Sequence, residues 1–404
     1  MDRVIQSATM KIETLAVHAG QHPDPTSGAV MQPIVLSSTF AQDGPGVHRG
    51  YEYSRSGNPT RNALEACLAA LEGGKHGFSF SSGLGGTTTL LHLLRPGDHV
   101  VCGDDVYGGT FRILDKCFKP LGIETSFVDF SDPTRLRAAL RPNTRMVWLE
   151  TPTNPMLKVF DIAALADIGR AAGVWLVVDN TFATPVAQRP LELGATVAFH
   201  SVTKYLNGHS DVVGGAIVTS DDALAEQLRF HQNALGAVPS PFDCFLVLRG
   251  LKTLPLRVER ASRSAMVIAE RLAEHPAIER VYYPHLATNA GYAVARRQMT
   301  LGGGMLSFVL RPGPDGDTLG RARAFLAKTR LFTCAESLGG VESLIEHPAL
   351  MTHASVPPET RAALGIDDGL IRASVGVEHV DDLWDDLALA LSATAGRSIR
   401  PPAM

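Results

Sequence analysis

The chain has 404 residues, of which 45% are hydrophobic and 19% charged, and its formal net charge is −4 at pH 7. This composition is typical of a globular protein of about two or three domains, and it gives no support for a nucleic acid or an anionic membrane as a standing partner. No apolar run approaches the length of a membrane span, and the first 20 residues lack the apolar segment of a signal peptide. We therefore predict a soluble, cytoplasmic protein.

The five cysteines argue against both a disulfide framework and a zinc site. They are odd in number, widely spaced and without CxxC spacing, so a reducing compartment fits best. His200, His209 and Asp211 are close in sequence but lack the spacing that places two histidines on one face of a helix. We predict no metal site.

Residues 1–57, called the N-terminal arm below, show little hydrophobic periodicity. Turn-forming residues are frequent in them, as in HPDPTSG at 22–28 and QDGPG at 42–46. An irregular segment of this length is unusual inside a compact domain. We predict that the arm packs on another subunit.

Short apolar strands alternate with helices between residues 58 and 256. The first helix is predicted from Asn58, a suitable cap, to the glycine pair that begins at Gly73. Further helices are predicted at 87–94, 111–122 and 161–173, and strands at 78–80, 99–103, 125–130, 146–150, 174–180, 196–200 and 215–220. Such alternation indicates a mostly parallel sheet covered on both faces.

The pattern changes after about residue 256. A long helix at 257–275 and a strand at 303–310 are predicted there, with later helices at 317–329 and 380–393. These elements suggest a smaller α+β domain at 257–404, after a main domain at 58–256. The predicted fold is therefore an α/β protein with a mostly parallel sheet and a smaller α+β C-terminal domain.

In open parallel sheets, ligands bind beyond the carboxyl ends of the strands. Two of the predicted strands end in features that suit a ligand. SSGLGG at 81–86 leads into a helix N-terminus, a suitable phosphate site, although such a turn also serves simply as a tight connection. It lacks the G-x-S-x-G elbow of a serine hydrolase. Asp179 ends another strand, where a buried carboxylate needs a partner such as a helix cap, a salt bridge or a protonated ring nitrogen.

A third strand leads into Ser201, Thr203 and Lys204. Most lysines are solvated surface residues, but a lysine at the mouth of a strand can have a lowered pKa and form a Schiff base. The two hydroxyls could bind the same anion as the glycine turn. A phosphate cradle, an acid for a ring nitrogen and an amine for an aldehyde together match pyridoxal 5′-phosphate (PLP).

Seven motifs resemble the PLP-dependent enzymes of cysteine and methionine metabolism, the trans-sulfuration family, over about residues 14–393. They are YEYSRSGNPTR, DDVYGGTFR, ETPTNP, VVDNTF, HSVTKYLNGHSDVVGG, RGLKTL and ESLGGVESLIEHPALMTHAS. The resemblance implies PLP fold type I, which is aspartate-aminotransferase-like. It also implies a homotetramer, a dimer of dimers with shared active sites.

The same resemblance assigns the cofactor contacts. It makes Lys204 the Schiff-base lysine and Asp179 the partner of the pyridine nitrogen. It implies that the phosphate accepts from the backbone N–H groups of Gly83 and Leu84 and from the hydroxyls of Ser201 and Thr203. Tyr107 and Asn154 would contact the cofactor ring. Tyr53 and Arg55 would contact the phosphate bound by a neighbouring subunit.

For the substrate, the resemblance implies that Arg372 binds the α-carboxylate, a bidentate task for which lysine is poorly suited. Taken alone, an arginine such as Arg372 more often forms a structural ion pair. Ser337 and Asn154 would lie beside that carboxylate, and Glu336 would face a distal ammonium group.

The implied chemistry begins with removal of the Cα proton by Lys204, which also shuttles protons with Tyr107 as a possible helper. The family includes cystathionine γ-lyases, cystathionine γ-synthases, which join cysteine to an activated homoserine, and methionine γ-lyases. Gly109, where methionine γ-lyases have cysteine, and the acidic Glu336 argue against the last of these. We predict γ-elimination on cystathionine to cysteine, 2-oxobutanoate and ammonia, with the γ-synthase as the alternative and a non-catalytic scaffold as the alternative from another class.

Overall fold

The computed structural model of the chain describes residues 10–313, 316–354 and 356–394. The arm, apart from its first nine residues, which lie outside these ranges, contains helix α1 (Ile12–His18) and a hairpin of β1 (Gln42–Gly44) and β2 (Val47–His48). This short helix was not predicted from the sequence. Every residue from 22 to 57 is at least partly exposed, and in this part of the arm Met31 packs, partly buried, against the main apolar core.

The central element is a seven-stranded sheet with the spatial order β3-β9-β8-β7-β6-β4-β5. Its strands are β3 (His76–Phe80), β4 (His99–Gly103), β5 (Glu124–Val128), β6 (Thr144–Glu150), β7 (Trp175–Asp179), β8 (Val197–Ser201) and β9 (Gly215–Thr219). All neighbouring strands pair in parallel except β9, which is antiparallel to both of its neighbours. The predicted mostly parallel sheet is confirmed.

Both faces of this sheet are buried, as the strand composition predicted. On β6, Met146 and Trp148 belong to one apolar cluster, whereas Val147 and Leu149 belong to another on the opposite face. The helices of this part of the chain are α2 (Pro59–Glu72), α3 (Gly83–Leu91), α4 (Gly108–Arg112), α5 (Pro133–Ala139), α6 (Ile162–Ala172), α7 (Thr184–Ala187), α8 (Asp222–Leu235) and α9 (Pro241–Leu251).

Two local predictions differ from the structure. The glycine turn is shorter than predicted, because Gly83 already begins α3 and the Ser82 side chain caps it by accepting from the Gly85 N–H at 3.0 Å. The helix predicted at 111–122 is the end of α4, followed by a π-helical turn, Ile113–Phe118, and a 3₁₀ turn, Lys119–Leu121.

The C-terminal part of the chain forms a second, five-stranded sheet with the order β10-β11-β14-β13-β12. Its elements are α10 (Leu254–Glu274), β10 (Ile278–Tyr282), α11 (Tyr292–Gln298), β11 (Met305–Leu310), α12 (Thr318–Leu326), β12 (Thr333–Cys334), β13 (Leu344–Glu346), α13 (Pro358–Leu364), β14 (Leu370–Ser374) and α14 (Val380–Ala393). The smaller α+β unit is as predicted, and α10 runs across the predicted boundary at residue 256. Within the described ranges, no helix is long and apolar enough to cross a membrane.

Candidate active site

A cavity of about 300 Å³ lies where the carboxyl ends of the central strands meet the C-terminal sheet. Eleven of the thirteen predicted site residues line it: Gly83, Leu84, Tyr107, Asn154, Asp179, Ser201, Thr203, Lys204, Glu336, Ser337 and Arg372. The structure thus brings together residues from five strand ends and from a loop of the C-terminal part.

One wall of the cavity is the beginning of α3. Its first N–H groups, on Gly83 and Leu84, have no acceptor within the helix, and the positive end of the helix dipole lies at the same place. The neighbouring strand β9 packs closely against this wall at Gly215. A Cβ atom at this position would lie 2.3 Å from the Ser82 carbonyl oxygen, so a side chain there would displace the start of the helix. The arrangement suits an anionic group such as phosphate.

Lys204 is half-buried in the turn that follows β8, and it is therefore not a solvated surface lysine. Its Nζ atom donates a hydrogen bond to Ser337 Oγ at 2.7 Å. Desolvation, reinforced by the positive charge of Arg372, lowers the pKa of Lys204 to about 8. A much larger fraction of this amine is neutral at physiological pH than of an ordinary lysine, as a nucleophilic amine requires.

Asp179 is the last residue of β7 and is buried. Its Oδ1 atom accepts hydrogen bonds from the Thr181 N–H at 3.0 Å and from Thr181 Oγ1 at 2.5 Å. Burial raises the pKa of this carboxyl, whereas the bonds from Thr181 oppose the rise. A positively charged partner in the cavity, such as a protonated ring nitrogen, would stabilise the ionised form.

Glu150 was not among the predicted site residues, although it also ends a buried strand. It is the register partner of Asp179 on the adjacent strand β6, and its Oε2 atom accepts from the Tyr107 N–H at 2.9 Å. The Asn154 N–H also donates to this carboxyl. Burial, followed by the charge of Asp179, raises the pKa of Glu150 well above its usual value. Glu150 thus fixes the backbone of the two loops that carry Tyr107 and Asn154.

The Tyr107 ring is partly exposed at the cavity, and its position requires a glycine at residue 109. A Cβ atom at Gly109 would lie 2.3 Å from Cε1 of this ring, so any side chain there would displace it. The Thr203 hydroxyl is held within the chain, because its oxygen accepts from the Gly214 N–H at 3.0 Å. Both residues line the cavity.

Arg372 lies on β14, buried at the floor of the cavity. Its Nη1 atom donates to Asn154 Oδ1 at 2.9 Å, and its Nη2 atom donates to the Ser337 carbonyl oxygen at 2.9 Å. The Nη1 atom also lies 2.9 Å from Oε1 of Glu346, its register partner on β13. The structural ion pair considered for Arg372 therefore exists beside the cavity contacts, and its acidic partner was missed.

Tyr53 and Arg55 are the two predicted residues that do not line this cavity. Both are exposed; the Arg55 guanidinium lies 5.5 Å from the Tyr53 ring centroid, and its Nη1 atom donates to the Asn233 carbonyl oxygen at 2.7 Å. Their contact with the phosphate of a neighbouring subunit remains a prediction.

The three residues weighed as metal ligands are engaged elsewhere. His200 is buried and its Nε2 atom contacts Glu72, while His209 Nδ1 contacts the Asn207 carbonyl oxygen at 2.8 Å. Asp211 accepts from the Asn207 side-chain amide at 2.8 Å. The described residues contain no group of three or more acidic, histidine or cysteine side chains that could hold a metal.

The donor set of the cavity fits PLP. Lys204 supplies an amine of lowered pKa for an aldehyde, Asp179 supplies a buried carboxyl for a ring nitrogen, and the start of α3 supplies free N–H groups for a phosphate. These three groups lie on one cavity, as binding of a single ligand requires.

Comparisons with known proteins agree with this fit. A family model described as Cys/Met metabolism PLP-dependent enzyme matches residues 13–392. A cystathionine β-lyase of Coxiella burnetii is 54% identical over 94% of the chain and 97% of its own length. A cystathionine γ-lyase of Dictyostelium discoideum is 53% identical, with 96% and 99% covered. A cystathionine γ-synthase of Mycobacterium bovis is 53% identical, with 94% and 96% covered.

A solved structure has the same fold. The cystathionine γ-synthase of Xanthomonas oryzae pv. oryzae, in complex with aminoacrylate and cysteine, superimposes with a TM-score of 0.92 at 47% identity. The superposition covers 95% of this chain and 98% of that one. Because the family model and the relatives span nearly the whole chain, the protein belongs to the PLP-dependent enzymes of cysteine and methionine metabolism.

Proposed function

We propose that this protein catalyses γ-elimination on L-cystathionine, with release of L-cysteine, 2-oxobutanoate and ammonia. The observation that carries the proposal is the Lys204 amine, whose pKa is lowered to about 8 and which lies in one cavity with Asp179 and Arg372. An amine, a ring-nitrogen partner and a carboxylate site together suit an amino-acid substrate.

We assign each step of this reaction to residues of the cavity. Bound PLP supplies an aldehyde for the substrate amine and a ring that accepts electrons from Cα. Lys204 would hold the cofactor through its amine, and the same amine would take the proton from Cα of the bound substrate. A second proton leaves Cβ, so that the sulfur on Cγ can depart, and Lys204 and Tyr107 are the groups that we assign to moving it. Asp179 keeps the ring nitrogen protonated.

Substrate choice is assigned to the cavity residues around Arg372. Arg372 and Asn154 would bind the α-carboxylate with Ser337 beside them, and Glu336 would face the distal ammonium group of cystathionine. Methionine has no such group. The carboxylate of Glu336 therefore supports cystathionine over methionine as the substrate.

Two other reactions at the carbon–sulfur bonds of cystathionine are supported by relatives of nearly equal identity. The γ-synthase was an alternative from the sequence, and the relative of Mycobacterium bovis bears that name. The β-lyase of Coxiella burnetii adds a reaction that the sequence analysis did not consider. β-elimination on cystathionine breaks the other carbon–sulfur bond and yields pyruvate, ammonia and homocysteine.

We also infer that the protein assembles as a cytoplasmic homotetramer, a dimer of dimers, in which the arm covers the active site of a neighbouring subunit. Apolar side chains exposed on the arm support a protein partner: Val30 is 84% exposed and Leu36 is 68% exposed. The assigned partner of Tyr53 and Arg55 is the phosphate of that neighbour. The unit boundaries we assign are 1–57, 58–256 and 257–404.

One assay separates the three reactions. Purified holoprotein is supplied with cystathionine alone and, separately, with O-acyl-homoserine and cysteine, and all products are quantified. We expect 2-oxobutanoate and cysteine from cystathionine as the fastest reaction. A majority of pyruvate and homocysteine would make the protein a β-lyase, and faster formation of cystathionine from O-acyl-homoserine would make it a γ-synthase. No turnover of either kind would leave the scaffold alternative.

A further inference from the structure

The guanidinium of Arg372 is only partly used by its neighbours. Of its five N–H donors, one on Nη1 donates to Asn154 and one on Nη2 donates to the Ser337 carbonyl oxygen, with Glu346 in ionic contact at Nη1. Among the residues that the structure describes, the Nε–H and the second N–H of Nη2 have no acceptor. Two N–H donors are what a carboxylate needs to bind in a bidentate manner.

Glu346, the acidic neighbour of this guanidinium, is fully buried. Its Oε1 atom contacts Arg372 Nη1 and accepts a hydrogen bond from Thr352 Oγ1 at 2.7 Å. Its Oε2 atom is buried and has no hydrogen-bonding partner in the described part of the chain. A carboxylate in such a place has lost its hydration, so its charge is stabilised chiefly by Arg372.

We propose that Glu346 is a positioning residue for substrate binding: it holds the Nη1 edge of Arg372 and moderates the attraction of Arg372 for an amino-acid carboxylate. This inference rests on the proposed function, in which Arg372 binds that carboxylate. The incoming carboxylate then binds at the free Nε and Nη2 donors, and the negative charge of Glu346 opposes it across the guanidinium.

Such moderation has a physical advantage for turnover. The carboxylate that Arg372 binds is present in the substrate and in the 2-oxobutanoate product alike, so a stronger contact with it binds both states. Binding that is uniform along the reaction lowers KM without raising kcat, and it slows the release of product. A buried counter-charge at Arg372 limits this effect while the guanidinium keeps its orientation.

The direct test is Glu346→Gln, which keeps the size of the side chain and an amide oxygen for Nη1 but removes the charge. We expect KM for the amino-acid substrate to fall by about three- to tenfold, the range expected when one repulsive charge contact is relieved. We expect kcat to change less than KM, because the charge is in direct contact with Arg372, whereas its effect on the pKa of Lys204 is outweighed by burial and by Arg372. An unchanged or raised KM would overturn the proposal.

Glu342→Gln is the matched control. Glu342 lies four residues earlier in the chain and contacts the Ser210 hydroxyl. Its substitution removes an equal charge from the same segment without touching Arg372, so we expect KM to stay within about twofold. If Glu342→Gln lowered KM as much as Glu346→Gln, a general charge effect would replace the specific one.

A second measurement separates the role of Glu346 from that of Arg372. The inhibition constants of an unreactive amino acid and of the matching amine without its carboxylate are compared in wild-type holoprotein, Glu346→Gln and Arg372→Lys. We expect Glu346→Gln to tighten only the amino acid and Arg372→Lys to weaken only the amino acid. Equal tightening of both ligands by Glu346→Gln would overturn the role of Glu346. An unaltered amino acid in Arg372→Lys would instead overturn the carboxylate site itself.

A further variant covers the case in which Glu346→Gln does not fold. Glu346→Asp withdraws the carboxylate from Nη1 by one methylene and retains the charge. We expect it to lower KM in the same direction by a smaller factor, and an unchanged KM in folded Glu346→Asp holoprotein would overturn the proposal.

Discussion

The cavity and the N-terminal arm differ in how much of their surroundings one chain supplies. In the cavity, Lys204 contacts Ser337, Asp179 contacts Thr181 and Arg372 contacts Glu346, all within the chain. Along the arm, residues 22–57 are all at least partly exposed. Sequence motifs indicated functional residues in both regions. Within a single chain, however, only the cavity residues are surrounded by other residues.

This difference shows what each kind of sequence signal can establish. The carboxyl ends of parallel strands must meet at one edge of a sheet, so residues placed there come together in any single chain with this fold. An exposed arm has no such constraint, and its function depends on what binds to it.

The largest effect is expected from Lys204→Ala. Because Lys204 is assigned both cofactor attachment and proton transfer, turnover should fall by about 1,000-fold or more. Thermal unfolding should show a folded protein, since the side chain is only half-buried and, among the described residues, hydrogen-bonds to Ser337 alone. Lys75→Ala is the control: this lysine is exposed and pairs with Asp222, and its loss should leave turnover unchanged. Activity near wild type in Lys204→Ala would remove this residue from the mechanism.

A smaller effect is expected from pH on the rate at which cofactor-free protein takes up PLP. Burial and Arg372 favour the neutral form of Lys204 and lower its pKa from 10.5 to about 8. The neutral amine is the form that attacks an aldehyde, so the rate should rise about tenfold per pH unit below pH 8 and level off above it. Stopped-flow absorbance between about pH 6.5 and 10 measures this profile. A rate still rising tenfold per unit beyond pH 9 would mean that Lys204 keeps an ordinary pKa.

The smallest effect is expected in the arm, from Arg55→Ala. If Arg55 contacts the phosphate of a neighbouring subunit, loss of this charge-assisted bond should raise the dissociation constant of PLP by about tenfold. Arg49→Ala is the matched control, because Arg49 is also an exposed arm arginine but pairs with Asp43 of the same segment. Equal PLP affinity in both variants would count against an arm shared between subunits, and equilibrium dialysis measures it.

Most of the central sheet and much of the site could be predicted from the sequence. Strands such as β6 are buried on both faces, so they appear as continuous apolar runs that composition alone reveals. Helix α1 could not be found in this way, because it has seven residues, of which only Leu15 and Ala16 are buried. The start of α3 was read as a turn because glycines dominate it, although the Ser82 cap makes it helical.

The two missed carboxylates differ in how they could have been found. Glu150 ends a buried strand exactly as Asp179 does, and the strand-end rule applied to every strand would have included it. Glu346 is different, because its contact with Arg372 follows from the register of β13 and β14. Pairing between strands that are well separated in sequence is not visible in local composition, so only the structure could place Glu346 beside the cavity.

The covalent attachment of PLP to Lys204 is the central claim, and borohydride reduction of the holoprotein tests it most directly. Reduction fixes the cofactor to the amine that holds it, and proteolysis with mass spectrometry then identifies the labelled peptide. The expected result is a yellow protein that loses its visible absorbance on reduction and carries the label on the peptide containing Lys204. A label on another lysine, or a colourless protein with no label, would contradict the account.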